Sequence, residues 1–140
     1  MSPAALYLLD TNTVAYIVNG RSMKARERLK SEQAHSAVSI SAITQAEILF
    51  GLEKKPEATQ LRAAVDALFQ ALPVLAWDGL AAQAYAVFRA RVAAAGKSLS
   101  AMDLLIASHS IATHAVLVTH DRALLQAAPL LSVMDWATDL

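Results

Sequence analysis

The chain has 140 residues, 56% of them hydrophobic, with no cysteine and 12 acidic against 12 basic side chains, so its formal net charge is zero. That length suits one domain with an adequate core, the lack of cysteine excludes disulfides and thiolate metal sites, and charge neutrality excludes the global basic footprint of a nucleic-acid binder. The N-terminus lacks a basic start with a long apolar region, and no apolar run reaches bilayer length, so a soluble, cytoplasmic single domain over residues 1–140, without membrane contact, is expected.

In chain order, Tyr7-Leu8-Leu9 reads as a strand ending in Asp10, and Thr11 and Asn12 precede an apolar helical segment from Val14 to Val18. Ser22 to Gln33 carries a helical charge pattern. Ala37-Val38-Ser39-Ile40-Ser41 alternates as a strand does, and from Ala42 the spacing of Ile43, Ala46, Leu49, Phe50 and Leu52 is helical until Lys54-Lys55-Pro56. Glu57 to Leu72 is a further amphipathic helix, and Val74-Leu75-Ala76 is a short strand. Asp78-Gly79 opens a long helix that ends at Gly96. Ser100 starts a helix through Asp103, Ile106 and Ile111, and Ala115 to Val118 is a strand followed by the acidic turn Thr119-His120-Asp121. A short helix from Arg122 to Gln126 and a last strand at Leu131-Ser132-Val133 complete the chain. Strands alternating with helices predict an α/β three-layer sandwich whose central, mostly parallel sheet is flanked by helices.

Four carboxylates stand where packing does not readily explain them: Asp10, Glu47, Asp103 and Asp121. Glu47 interrupts an apolar helix on the face of Ile43, Phe50 and Gly51. Each has a plain alternative. Asp10 and Asp121 suit helix N-caps, Asp103 follows Ser100 at capping-box spacing, and Glu47 fits the edge of an apolar stripe reaching water. Taken together, strand-end turns and helix starts can bring all four to one rim of the sheet. Carboxylates that close repel unless a cation intervenes, and an all-oxygen donor set suits Mg²⁺ or Mn²⁺. Such an ion promotes water attack on a phosphodiester.

The motifs Leu8-Leu9-Asp10-Thr11-Asn12, Ile43 to Glu53, Asp103-Leu104-Leu105-Ile106-Ala107 and Leu117 to Trp136 together resemble a PIN-domain ribonuclease, specifically a VapC-type toxin of a bacterial toxin–antitoxin pair, along essentially the whole length. The resemblance implies a PIN-like fold, an Mg²⁺ or Mn²⁺ cofactor and cleavage of structured RNA, the anticodon loop of a tRNA above all. It implies Asp10 and Asp103 as principal metal ligands, Glu47 and Asp121 completing the pocket, and Thr11, Asn12 and Thr119 orienting ligands by hydrogen bonds. The helix-capping role is expected to fall to Thr11 and Asn12, leaving Asp10 for the pocket. Asp121 stands where many relatives carry Asn, which implies a more acidic site, and Ser100 replaces a frequent Gly.

Phosphate contacts are expected from the local basic groups, Arg21, Lys24, Arg26 and Arg28 with Lys30, and from Lys54-Lys55. Arg89, Arg91 and Lys97 form a looser third group. A mean hydropathy of +0.38 indicates surplus apolar surface for partners: a homodimer and, by the resemblance, a VapB-like antitoxin laid in an apolar groove, with DNA reached only through it. Among the histidines, His120 reads either as an RNA contact or as an exposed turn residue, and His35, His109 and His114 show no ligand spacing. Two other functions compete. Asp10-Thr11-Asn12-Thr13-Val14 resembles the nucleophile loop of haloacid dehalogenase-like phosphatases, although Asn12 stands where the general acid belongs. The other is a non-catalytic partner that binds antitoxin and helps occupy DNA.

Overall fold

Short apolar strands joined through helices have one way to satisfy their backbones and bury both faces, a parallel sheet covered on each side. A computed structural model describes residues 6–140 and shows that arrangement; residues 1–5, part of the N-terminal stretch read above for a leader, lie outside the described residues. The elements are β1 (Leu6–Leu9), α1 (Thr11–Val18), α2 (Met23–Gln33), β2 (Ala37–Ser41), α3 (Ala42–Glu53), α4 (Thr59–Ala71), β3 (Val74–Leu75), α5 (Gly79–Ala94), α6 (Ala101–Ala112), β4 (Val116–Val118), α7 (Arg122–Leu125) and β5 (Val133–Met134). The strands lie in the order β3-β2-β1-β4-β5, and every neighbouring pair is parallel.

Alternation along the strands sorts side chains into two cores. Tyr7, Leu9, Val38, Ile40 and Val118 face a layer built by α1, α2 and the end of α4, where Val14, Ile17, Leu29 and Leu72 are buried. Leu8 and Leu117 face the opposite layer, where Phe88 and Val92 of α5, Leu104 and Ile106 of α6 and Leu124 of α7 are buried. The predicted three-layer sandwich is thus the observed one.

The chain winds outward from β1 to β3, then crosses back to place β4 on the other side of β1. The two strands on either side of that reversal, β1 and β4, open a crevice beyond their carboxyl ends, which in open α/β sheets is where ligands bind. Asp10 directly follows β1, and Thr119 to Asp121 directly follow β4.

Several element bounds shift by one to three residues from the sequence reading, and two differences affect the packing. The last strand begins at Val133 rather than Leu131, pairing Leu117 with Val133 and Val118 with Met134. Leu131 is buried as an anchor from the preceding loop, so its apolarity serves the core without entering the ladder. In α3, read from its apolar spacing as a helix, only Thr44 and Leu52 are buried and Phe50 is 63% exposed. The apolar residues of α3 surround the helix, so part of the surplus hydropathy faces outward.

Candidate metal centre

Asp10 is held at the rim from both sides. Its amide donates to the Val118 carbonyl at 3.0 Å, continuing the β1–β4 pairing one residue past the strand. Its backbone is extended, and its Oδ1 accepts the Thr13 amide at 2.8 Å, so Asp10 itself is the N-cap of α1. This corrects the expectation that Thr11 and Asn12 would take the capping role: a cap must precede the helix with an extended backbone, and both of those residues already lie in its first turn. Asn12 points to solvent. Thr11 turns across the crevice instead, where its hydroxyl donates to Glu47 Oε1 at 2.6 Å and lies 3.2 Å from Thr44 Oγ1.

Thr44 is a buried member of this group that the sequence reading missed. Its position three residues before Glu47, on the same helical face, was the available signal. Glu47 is half-buried and fixed by Thr11, so its place on an apolar helix reflects a hydrogen bond across the crevice rather than a reach for water.

Asp103 lies in the first turn of α6, and its amide donates to the capping Ser100 Oγ at 3.2 Å. Asp121 caps α7, with Oδ1 accepting the Leu124 amide at 3.1 Å, while its own amide donates to Thr119 Oγ1 at 3.0 Å. Thr119 is fully buried between these turns. Strand ends and helix starts therefore share one rim, and the partial positive charge of the α1, α6 and α7 N-termini favours carboxylates there.

The electrostatics bind the group together. Asp10 is only 3% exposed, and burial pushes its carboxyl above the usual range; hydrogen bonds from Thr119 and Thr13 oppose the shift, and the charge of Asp103 adds to it. Half-buried Asp103 is also pushed up by burial, opposed by Ser100 and reinforced by the charges of Asp121 and Glu47. Asp103 is thus within electrostatic reach of Asp10, Glu47 and Asp121.

Among the described residues, no three histidine, aspartate or glutamate side chains close on one point as a finished metal cage. A hard divalent ion does not need one: Mg²⁺ binds through one or two carboxylates and keeps several waters. The donor set is all oxygen, the carboxyls of Asp10 and Asp103 are pushed up by burial and by neighbouring charge, and Asp10 and Asp121 are each held by a backbone amide. The chemistry of such a donor set is compatible with a divalent cation.

The basic residues divide. Arg26 Nη2 donates to the Ile17 carbonyl at 2.6 Å, and Arg28 bonds Glu32 at 2.8 Å while lying over the Trp136 ring, so both are engaged in the fold. Arg21, Lys24, Lys54 and Lys55 are exposed, with Arg21 over Tyr16 and Lys54 over Phe50. His120 is not an exposed turn histidine: its Nδ1 lies 2.8 Å from Asp135 Oδ2 and its ring meets Tyr16 edge-on. A groove of about 260 Å³ between α1, α3 and α4 is lined by Ala15, Val18, Ile48 and Leu52, with Glu47 in its wall and Lys54 and Lys55 beside it.

Comparison with known proteins adds three findings. Residues 7–129 match the family model of the PIN domain. Over 130 residues the chain is 30% identical to the tRNA(fMet)-specific endonuclease VapC of Salmonella typhimurium, covering 93% of this chain and 97% of that one, and over 131 residues it is 28% identical to ribonuclease VapC2 of Rickettsia felis, covering 94% and 98%. Among solved structures, VapBC2 of Rickettsia felis bound to a promoter DNA fragment superposes with a TM-score of 0.85 at 27% identity, over 94% of this chain and 98% of that chain.

Proposed function

The chain belongs to the PIN-domain family, in its VapC branch, and from that footing we propose that it is a divalent-metal-dependent endoribonuclease toxin acting on tRNA, the anticodon loop in particular. One observation carries the reading: Asp10, Glu47, Asp103 and Asp121 gather at the carboxyl-end crevice between β1 and β4, where two of them are already oriented by backbone amides. The names of the relatives, a tRNA(fMet)-specific endonuclease and a ribonuclease, supply the substrate class. Residues 1–140 would form one PIN domain.

Asp10 and Asp103 would hold Mg²⁺ or Mn²⁺, with Glu47 and Asp121 completing the pocket. When bound, the ion would supply Lewis acidity for water attack on a phosphodiester, and the products would be a 5′-phosphate and a 3′-hydroxyl. The chain's own residues prepare the site. Thr11 restrains the Glu47 carboxylate, and Thr119 restrains the Asp121 turn and supports the Asp10 carboxylate. Arg21, Lys24, Lys54 and Lys55 would contact RNA phosphates, which positions RNA without reading its sequence.

The apolar groove beside Glu47 suits a segment of a cognate VapB-like antitoxin, whose basic side chain would inhibit by meeting the carboxylates. DNA would be reached through that antitoxin. The exposed Leu49 and Phe50 add apolar surface for the antitoxin or for a homodimer. A phosphatase using Asp10 as nucleophile lacks an acid at Asn12, and a merely non-catalytic partner leaves the four-acid cluster without a purpose.

The test is incubation of the purified protein with total tRNA in Mg²⁺ or in chelator, followed by sequencing of the new RNA ends. Metal-dependent ends at a defined loop position are expected. Uncut tRNA and uncut total RNA in Mg²⁺ and in Mn²⁺ alike would overturn the assignment.

A further inference from the structure

His109 lies on α6 at 2% exposure, on the side of the sheet where Leu104, Ile106 and Ala107 of the same helix are buried. Its Nδ1 is 2.7 Å from Oγ of Ser41, which is also fully buried. Ser41 ends β2 and caps α3, its Oγ accepting the Ile43 amide at 3.1 Å. With that lone pair used, the hydroxyl still has its proton and its second lone pair for Nδ1, so the pair is satisfied in either tautomer of the ring, with the Ala76 backbone as a further polar neighbour. Burial favours the neutral ring by pushing its pKa down, against the opposing influence of the Asp78 charge and the Ala76 backbone. Nearby, Trp77 Nε1 donates to the Leu105 carbonyl at 2.9 Å, a second tie between α6 and the turn after β3.

The consequence concerns the acidic crevice. Asp103 starts α6, and Glu47 lies on α3, whose first turn Ser41 fixes. Apolar packing alone lets neighbouring helices slide by fractions of an ångström, whereas a buried hydrogen bond is satisfied over a narrow range of distance and direction. We propose that His109 is a positioning residue which, through Ser41, fixes α6 against the start of α3 and so sets the separation of Asp103 from Glu47 for divalent-cation binding. This rests on the reading that these carboxylates hold such an ion.

Mn²⁺ binding to the full chain, measured from the electron paramagnetic resonance of free Mn²⁺, tests it alongside urea unfolding of each variant. His109→Leu and Ser41→Ala should each bind Mn²⁺ about tenfold more weakly, the lower end of what supporting residues around metal sites contribute. Ser108→Ala is the matched control: Ser108 is equally buried on α6 but donates within its own helix, to the Leu104 carbonyl at 2.6 Å. It should lose stability without losing Mn²⁺ affinity. Wild-type affinity in both His109→Leu and Ser41→Ala, or an equal loss in Ser108→Ala, overturns the proposal while leaving the metal reading standing. If His109→Leu does not fold, Ser41→Ala decides. A wild-type chain that binds no Mn²⁺ overturns the metal reading itself, and this proposal with it.

Discussion

Replacing Asp10 by Asn separates its two roles. The carboxyl is 3% exposed and its pKa is raised chiefly by burial, so at neutral pH the folded chain bears the cost either of a buried charge or of a retained proton. The sign follows from linkage: the folded pKa exceeds the unfolded one, so the associated stability is present at low pH and lost as pH rises through the folded value. Asn retains an oxygen for the Thr13 amide, 2.8 Å away, and so keeps the cap that Ala would forfeit at about 1 kcal/mol. Without metal, at about pH 7.5, Asp10→Asn should therefore be at least as stable as the parent, and Asp10→Ala less stable than Asp10→Asn by about that 1 kcal/mol. With Mg²⁺ at about 100 times its Kd the parent gains roughly 2.7 kcal/mol, a rise of about 8 °C in Tm for a chain of this size. Asp10→Asn should gain almost none of that rise and cleave no RNA. Scanning fluorimetry with and without Mg²⁺, paired with a cleavage assay, measures both. A parental Mg²⁺ shift or parental cleavage in Asp10→Asn refutes the assignment of Asp10 as a metal ligand, and a loss above about 2 kcal/mol without metal refutes the argument that Asn preserves the cap.

Three further outcomes follow from the same geometry. If the ion binds the ionised carboxylates, then because burial and neighbouring charge push Asp10 and Asp103 up, Mn²⁺ affinity should be full above the raised values and fall away with acid at a pH above the ordinary carboxylate midpoint of about 4; a titration of affinity against pH with its midpoint at or below that value contradicts the raised carboxyls. Replacing Lys54 and Lys55 together by Ala should flatten the salt dependence of RNA binding, reducing the slope of log K against log salt by about 1.4 if both touch a single-stranded loop. Filter binding across a salt series reads it, and an unchanged slope removes both lysines from the interface. Phe50→Ser, at 63% exposure, should change folding stability by less than about 0.5 kcal/mol. It should nevertheless weaken antitoxin or self-association by tenfold or more if Phe50 anchors that face, roughly the loss of an interface hot spot; sedimentation and calorimetry distinguish the two partners.

Most elements were legible because their signals are local. Ser22 and Ser100 cap helices at the predicted starts, Gly96 takes a positive φ just beyond α5, and Ala37 to Ser41 is the strand its alternation predicts. The crevice was legible in part, since Asp10 and Asp121 each follow an apolar run and a parallel sheet sends all such turns to one rim. What failed depended on partners far along the chain. Nothing around Leu131 says that the ladder begins two residues later, because an anchor in the core and a strand residue have the same composition. The spacing of Ile43, Leu49 and Phe50 states that α3 is apolar but not that much of its face is left to solvent. His109 and Ser41 are 68 residues apart, so a histidine within an apolar helix gave no sign of its bond.

The choice between cap and ligand for Asp10 and Asp121 also dissolves once both are seen in place. Each carboxylate spends Oδ1 on a backbone amide of the helix it starts, at 2.8 Å and 3.1 Å. That bond fixes the side-chain rotamer before any ion arrives, and the helix N-terminus favours the charged form that an ion requires. A carboxylate on a flexible loop would have to be ordered by the metal itself, drawing on binding energy to do so. At this rim the backbone has already done the ordering. In the proposed site, capping would therefore be part of the preparation, and Asp10 would be fit to ligate an ion because it begins α1.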